Sequence, residues 1–117
     1  MTQIALSTIP SKATATGILY LPEIHSRSGS YFPDIRRSDM TKAAVVSDIV
    51  SSQHDDVIRV IAIDIVNGKS WDASQEIAQA VLDDILNDYS TVPMWCRPFC
   101  EEYLGIGKVN RAEREAA

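Results

Sequence analysis

The sequence predicts an α+β domain. Its parts are a small, mostly antiparallel sheet of three to four strands, two main helices over about residues 40–52 and 72–89, and a short third helix over about 97–104. Three observations lead there. Val57-Ile-Arg-Val-Ile-Ala-Ile-Asp-Ile-Val66 is an apolar, β-branched run of strand length. Two later or flanking stretches repeat apolar residues at helical spacing. The segments before residue 36 are short, apolar and cut by Gly and Pro, which suits hairpins.

Taken in order, Ile4 to Ile9 is a short apolar stretch stopped by Pro10, read as an edge strand or an ordered arm. Ala13 to Leu21 reads as a strand with Thr14, Thr16, Ile18 and Tyr20 on one face. Gly17 inside it signals a bulge or a close backbone approach, and Pro22 places that end at a sheet edge. Residues 25–30 have turn composition, and Tyr31 to Ile35 reads as the return strand of a hairpin with its rings tucked inward. Ser38 and Asp39 are N-cap candidates for the first helix, whose apolar stripe is Ala43, Val46, Ile49 and Val50.

Residues 57–66 are apolar on both faces, which predicts a central strand covered on two sides. A chain with two main helices has little to cover the second face. A second copy of the chain, a partner protein, or the N-terminal arm with the third helix is expected there. Asn67-Gly68 then reads as a turn from strand into helix. Asp72 and Gln75 fit a capping box, and Ile77, Ala78, Val81, Leu82, Ile85 and Tyr89 form the stripe of the second main helix. Pro98 suits the first turn of the short helix and Gly105 its C-terminal cap. Residues 1–107 thus form one domain, and residues 108–117 a charged tail, frayed helix or disordered.

Charge and cysteine content narrow the function. Sixteen acids against eleven Lys and Arg give a formal charge of −5. That argues against direct nucleic-acid binding, which needs a basic surface to displace counterions. Two cysteines in 117 residues suit a reducing, cytoplasmic setting, and no apolar run is long enough to span a membrane. Cys96 and Cys100, at i and i+4, would need His25 and His54 to complete a zinc site. The spacing is not that of zinc ribbons, and buried thiols explain the pair, so no cofactor is expected. Asp64 and Lys69 lack the strand-borne acid-x-Lys pair of a metal-dependent nuclease. Gly105-Ile-Gly107 lacks the third glycine of a dinucleotide fingerprint. The expectation is a protein that is not an enzyme.

Two surfaces remain as candidate contacts. The second main helix turns Glu76, Asp83, Asp84 and Asp88 to water, the last three in its C-terminal half, where the helix dipole disfavours acids. The hairpin carries Arg27, Tyr31, Phe32, Arg36 and Arg37. An acidic face would meet a basic protein groove; the hairpin would serve an alternative role as a nucleic-acid-binding regulator. A small zinc or metal-dependent enzyme is the third reading.

The run Ser38-Asp-Met-Thr-Lys-Ala-Ala-Val-Val-Ser-Asp-Ile-Val-Ser-Ser-Gln53, then Val60-Ile-Ala-Ile63, then Trp71-Asp-Ala-Ser-Gln-Glu-Ile-Ala78 resembles small uncharacterised proteins of bacterial phages and plasmids. The resemblance implies an accessory gene of a mobile element. It implies a protein that occludes a host protein or nucleoprotein complex, such as a CRISPR-type defence complex. It carries no catalytic residues over.

Overall fold

The computed structural model describes residues 17–54 and 56–117. Strand β1 (Ile18–Ser26) turns into the short β2 (Gly29–Tyr31). A 3-10 turn at Arg37–Asp39 leads to helix α1 (Lys42–Val50). Strand β3 (Val57–Asp64) and β4 (Lys69–Asp72) form a second hairpin, followed by helices α2 (Ser74–Asp88), α3 (Arg97–Leu104) and α4 (Ile106–Ala116). The four strands make one antiparallel sheet in the order β2-β1-β3-β4. This is the small α+β fold that the sequence predicts.

The helices lie on one sheet face. Tyr20, Val60 and Ala62 meet Val45 and Ile49 of α1, Ile77, Val81, Leu82 and Ile85 of α2, Phe99 and Cys100 of α3, and Val109 of α4 in one core. Among the described residues, no helix packs on the other face. Leu19 and Leu21 of β1 stand opposite Ile63 and Ile61 of β3, and all four are only partly buried. Among the described residues, the helices shield residues 57–66 on one side. Val60 and Ala62 are fully buried, whereas Ile58, Ile65 and Val66 are exposed.

Several boundaries move, each for a local reason. The strand stops at Asp64 because its carboxylate accepts the N–H groups of Val66 and Asn67, both at 3.1 Å, and the Asn67 amide at 2.8 Å. That local turn competes with the ladder. Gly68, at φ +68°, completes it, and the chain enters β4 rather than a helix. Asp72 ends that strand, and its carboxylate caps α2 from two residues upstream by accepting Ser74 N at 2.8 Å. The first main helix is capped by Thr41, whose hydroxyl accepts Ala44 N at 3.0 Å; Ser38 and Asp39 sit in the 3-10 turn instead. The hairpin's return strand is β2, ending at Tyr31, and its rings point outward: Tyr31 and Phe32 are half exposed. The chain beyond residue 107, expected as a charged tail, frayed helix or disordered, lies in α4, which runs to Ala116 with Val109 fully buried. The expected arm at 4–9 and the first residues of the 13–21 strand lie outside the described residues.

Pro22 sits inside β1 without loss. Tyr20 N donates to Met40 O at 2.7 Å, away from β3, and Pro22 points its nitrogen the same way, short of where β2 begins pairing at Ile24. Among the described residues, no ladder partner waits there for a proline N–H. Across the sheet, Glu23 is buried, and its carboxylate accepts hydrogen bonds from Arg59 of β3 and Ser30 of β2.

Beyond the short β4, no described strand lies on the outer edge of the first half of β3. Side chains and loop backbone take over. Ala73 N donates to Val60 O at 2.8 Å, Val60 N donates to the buried Ser74 hydroxyl at 2.8 Å, and the Tyr103 hydroxyl donates to Ile58 O. These contacts bring the start of α2 and the side of α3 against the start of β3, and that apposition builds the site.

Candidate functional site

The turn before α3 is set by Pro93, whose carbonyl accepts Cys96 N at 3.2 Å and Arg97 N at 3.0 Å. Pro98 then occupies the first turn of α3, where its missing N–H costs nothing. Trp95, Pro98, Phe99, Glu102 and Tyr103 recur at helical spacing and face the start of β3. Between them run two adjoining hollows of about 410 Å³ and 270 Å³ that share Asp56, Val57, Pro98 and Phe99. His25, Ile58, Glu102 and Tyr103 complete the larger hollow; Met94 and Trp95 complete the smaller.

Hydrogen bonds and a ring contact hold the groove's aromatic side chains. The Trp95 indole N–H donates to Val50 O at 3.0 Å, satisfying one of the carbonyls that the end of α1 leaves unpaired. The Tyr103 hydroxyl is held by Ile58 O. Phe99 and Tyr103 meet edge to face, centroids 5.1 Å apart at 61°. Asp56 takes a left-handed backbone, φ +52°, which aspartate tolerates better than most residues, and its carbonyl accepts His25 N at 3.0 Å. Phe99 is buried while Trp95 is 49% exposed and Met94 86% exposed, so the groove opens from an apolar floor to an apolar lip.

Its charge is one-sided. Among the described residues, Asp56 and Glu102 line it, and no Lys or Arg does. The nearby arginines have other work. Arg59 is bound by Glu23, which is held below its ordinary carboxyl range by Arg59 first and Ser30 second. Arg97 pairs with Glu101 at 3.2 Å and with Glu113 of α4, whose carboxylate also accepts Val92 N at 2.7 Å.

The sequence-predicted residues fall in three places. Asp83, Asp84 and Asp88 are exposed on α2, and Asp83 accepts the Gln79 amide at 2.9 Å. Glu76, on the same helix, is occupied: Lys42 of α1 reaches it at 3.2 Å and the Tyr20 hydroxyl at 3.1 Å. Burial, with Glu76 beside it, pushes the Tyr20 phenol up to about 12. Arg27, Tyr31, Phe32, Arg36 and Arg37 are all exposed around β2, and none of these arginines is in an ion pair among the described residues. Cys96 and Cys100 are free and buried, and desolvation raises their thiols to about 11 and about 12. Cys100 points at Ala78 O and Cys96 at Pro93 O, while His25 lines the groove and His54 lies 3.6 Å from Asp48. Among the described residues, no three His, Cys, Asp or Glu side chains converge to hold a metal. No described helix is long and apolar enough to cross a membrane.

The groove itself was missed from sequence. Phe99 and Tyr103 at i and i+4 were legible, but the same stripe extended to Trp95, Pro98 and Glu102 reads as packing until its partner surface is known. That surface is the start of β3, some forty residues earlier in the chain.

Set against models of protein families, curated proteins and solved structures, the chain matches none.

Proposed function

We propose that this chain is a non-enzymatic protein-binding module. One observation carries the reading. Of its eight aromatic side chains, Tyr31, Phe32, Trp71, Tyr89 and Trp95 are exposed, both tryptophans among them. Scattered exposed leucines need no explanation, but aromatic side chains are the ones enriched at protein contacts. A domain of this size that placed its rings for folding alone would bury them, because each removes a large area from water. The resemblance to phage and plasmid proteins supplies the partner class: a host protein or a nucleoprotein complex that the module occludes.

Affinity capture from host lysate tests this, comparing the full chain with Trp95→Ala and with Tyr31→Ala/Phe32→Ala. One partner retained by the full chain and lost from at least one variant that keeps its circular dichroism is the expected result. The same proteins retained by all three, or none by any, would contradict it.

A second reading rests on the hairpin and the turn after it, where Arg27, Arg36 and Arg37 are exposed along the same stretch of chain as Tyr31 and Phe32. Cations beside stacking rings suit single-stranded nucleic acid. Binding of a labelled oligonucleotide that weakens steeply with salt would favour it.

A further inference from the structure

We propose that the groove between β3 and α3 receives an arginine side chain of the partner protein, carried in an apolar segment. The proposal rests on the reading of the chain as a protein-binding module and names what that module grips. Aromatic rings line the groove from end to end: Trp95 in the smaller hollow, Phe99 in both, Tyr103 in the larger. A guanidinium stacks on such faces and is attracted by their electron-rich centres. Among the described residues the charged lining is acidic, Asp56 common to both hollows and Glu102 on the larger, and Arg59 and Arg97, next in sequence to lining residues Ile58 and Pro98, are already paired.

Arginine fits this combination better than lysine. Its planar fork pairs two-fold with a carboxylate while its face lies on a ring, whereas an ammonium is a compact, strongly hydrated charge. A phosphate backbone is disfavoured, because Asp56 and Glu102 would repel it. The larger hollow falls within the size of side-chain and ligand pockets generally. Met94 and Ile58, both exposed, flank it and offer apolar cover to the residues on either side of the arginine.

Holding the rings in advance matters for affinity. Trp95 donates to Val50 O and Tyr103 to Ile58 O, so each ring already has an oriented partner in the free chain. Binding then forgoes much of the side-chain ordering that an unbuilt surface would require.

The test is selection of random dodecapeptides displayed against the immobilised full chain, followed by titration of the recovered peptides into Trp71→Phe. That variant leaves Trp95 as the sole tryptophan, so its fluorescence reports the groove. The recovered peptides are expected to be enriched in arginine next to apolar residues and to change Trp95 emission saturably. Glu102→Lys and Asp56→Asn are each expected to weaken binding, Glu102→Lys by about tenfold or more. Asp83→Lys, on α2, leaves it unchanged. Both groove positions are at the rim, and asparagine accepts the left-handed backbone at residue 56, so the fold is retained.

Peptides without a cation, affinity indifferent to Glu102→Lys, or no recovered peptide at all would overturn the proposal. Peptides whose binding is lost in Arg36→Ala/Arg37→Ala but kept in Glu102→Lys would also overturn it, while leaving the protein-binding reading intact. That reading falls separately, if the lysate capture yields nothing specific.

Discussion

At Gly17 the chain enters β1 with φ +76°, and a Cβ placed there would lie 2.6 Å from Val66 Cγ2. The left-handed backbone alone makes Gly17→Ala cost about 1–2 kcal/mol, and Val66 must also move, so chemical denaturation should show at least that loss. The glycine was legible as a close approach; the residue it approaches, nearly fifty positions on, was not. Glu23 gives a second test at this scale. Arg59 and then Ser30 stabilise its charged form, which lowers its pKa from the ordinary 4.5. A group lowered in the folded state adds stability above its unfolded value and loses that stability as pH falls through the folded one. Melting temperature should therefore drop on acidification below about pH 4.5, and Glu23→Gln should show a shallower drop, read by calorimetry across that range.

Strand β3 shows how far an element can be read from its own residues. Its existence follows from its β-branched apolar run, and α1, α2 and α3 follow from their stripes. Its end did not follow, because Asp64 and Asn67 close a local turn that outcompetes two more residues of ladder. The same weakness hid β4: four exposed residues, Lys69 to Asp72, have no apolar pattern and exist because β3 offers them an edge. Past β4 that edge depends on Ser74. Ser74→Ala leaves Val60 N–H buried without an acceptor, which costs about 1–3 kcal/mol. Thermal denaturation should show the loss, and the Val60 amide should exchange with solvent faster by nuclear magnetic resonance. An unchanged midpoint would mean that the edge is closed by something other than this hydroxyl.

Across the whole molecule, helices cover one sheet face and leave Leu19, Leu21, Ile61 and Ile63 half covered on the other. A sequence apolar on both faces of a strand cannot say which face the helices will take. Nor could it say where the rings would sit, since aromatic residues serve cores and contacts alike. The fold puts Tyr20 and Phe99 inside and most of the others outside. It also sets α3 against β3 so that Trp95, Phe99 and Tyr103 share one groove with Asp56 and Glu102, while the acids of α2 and the arginines of the hairpin stay apart from it. Glu113 of α4 helps hold that arrangement by gripping Arg97 and Val92 N. Amide hydrogen exchange, measured with and without the bound partner, tests the central claim most directly. The account predicts slowed exchange over residues 56–58 and 94–103, with residues 83–88 and 27–37 unchanged. Slowing confined to either of those last two segments would contradict it.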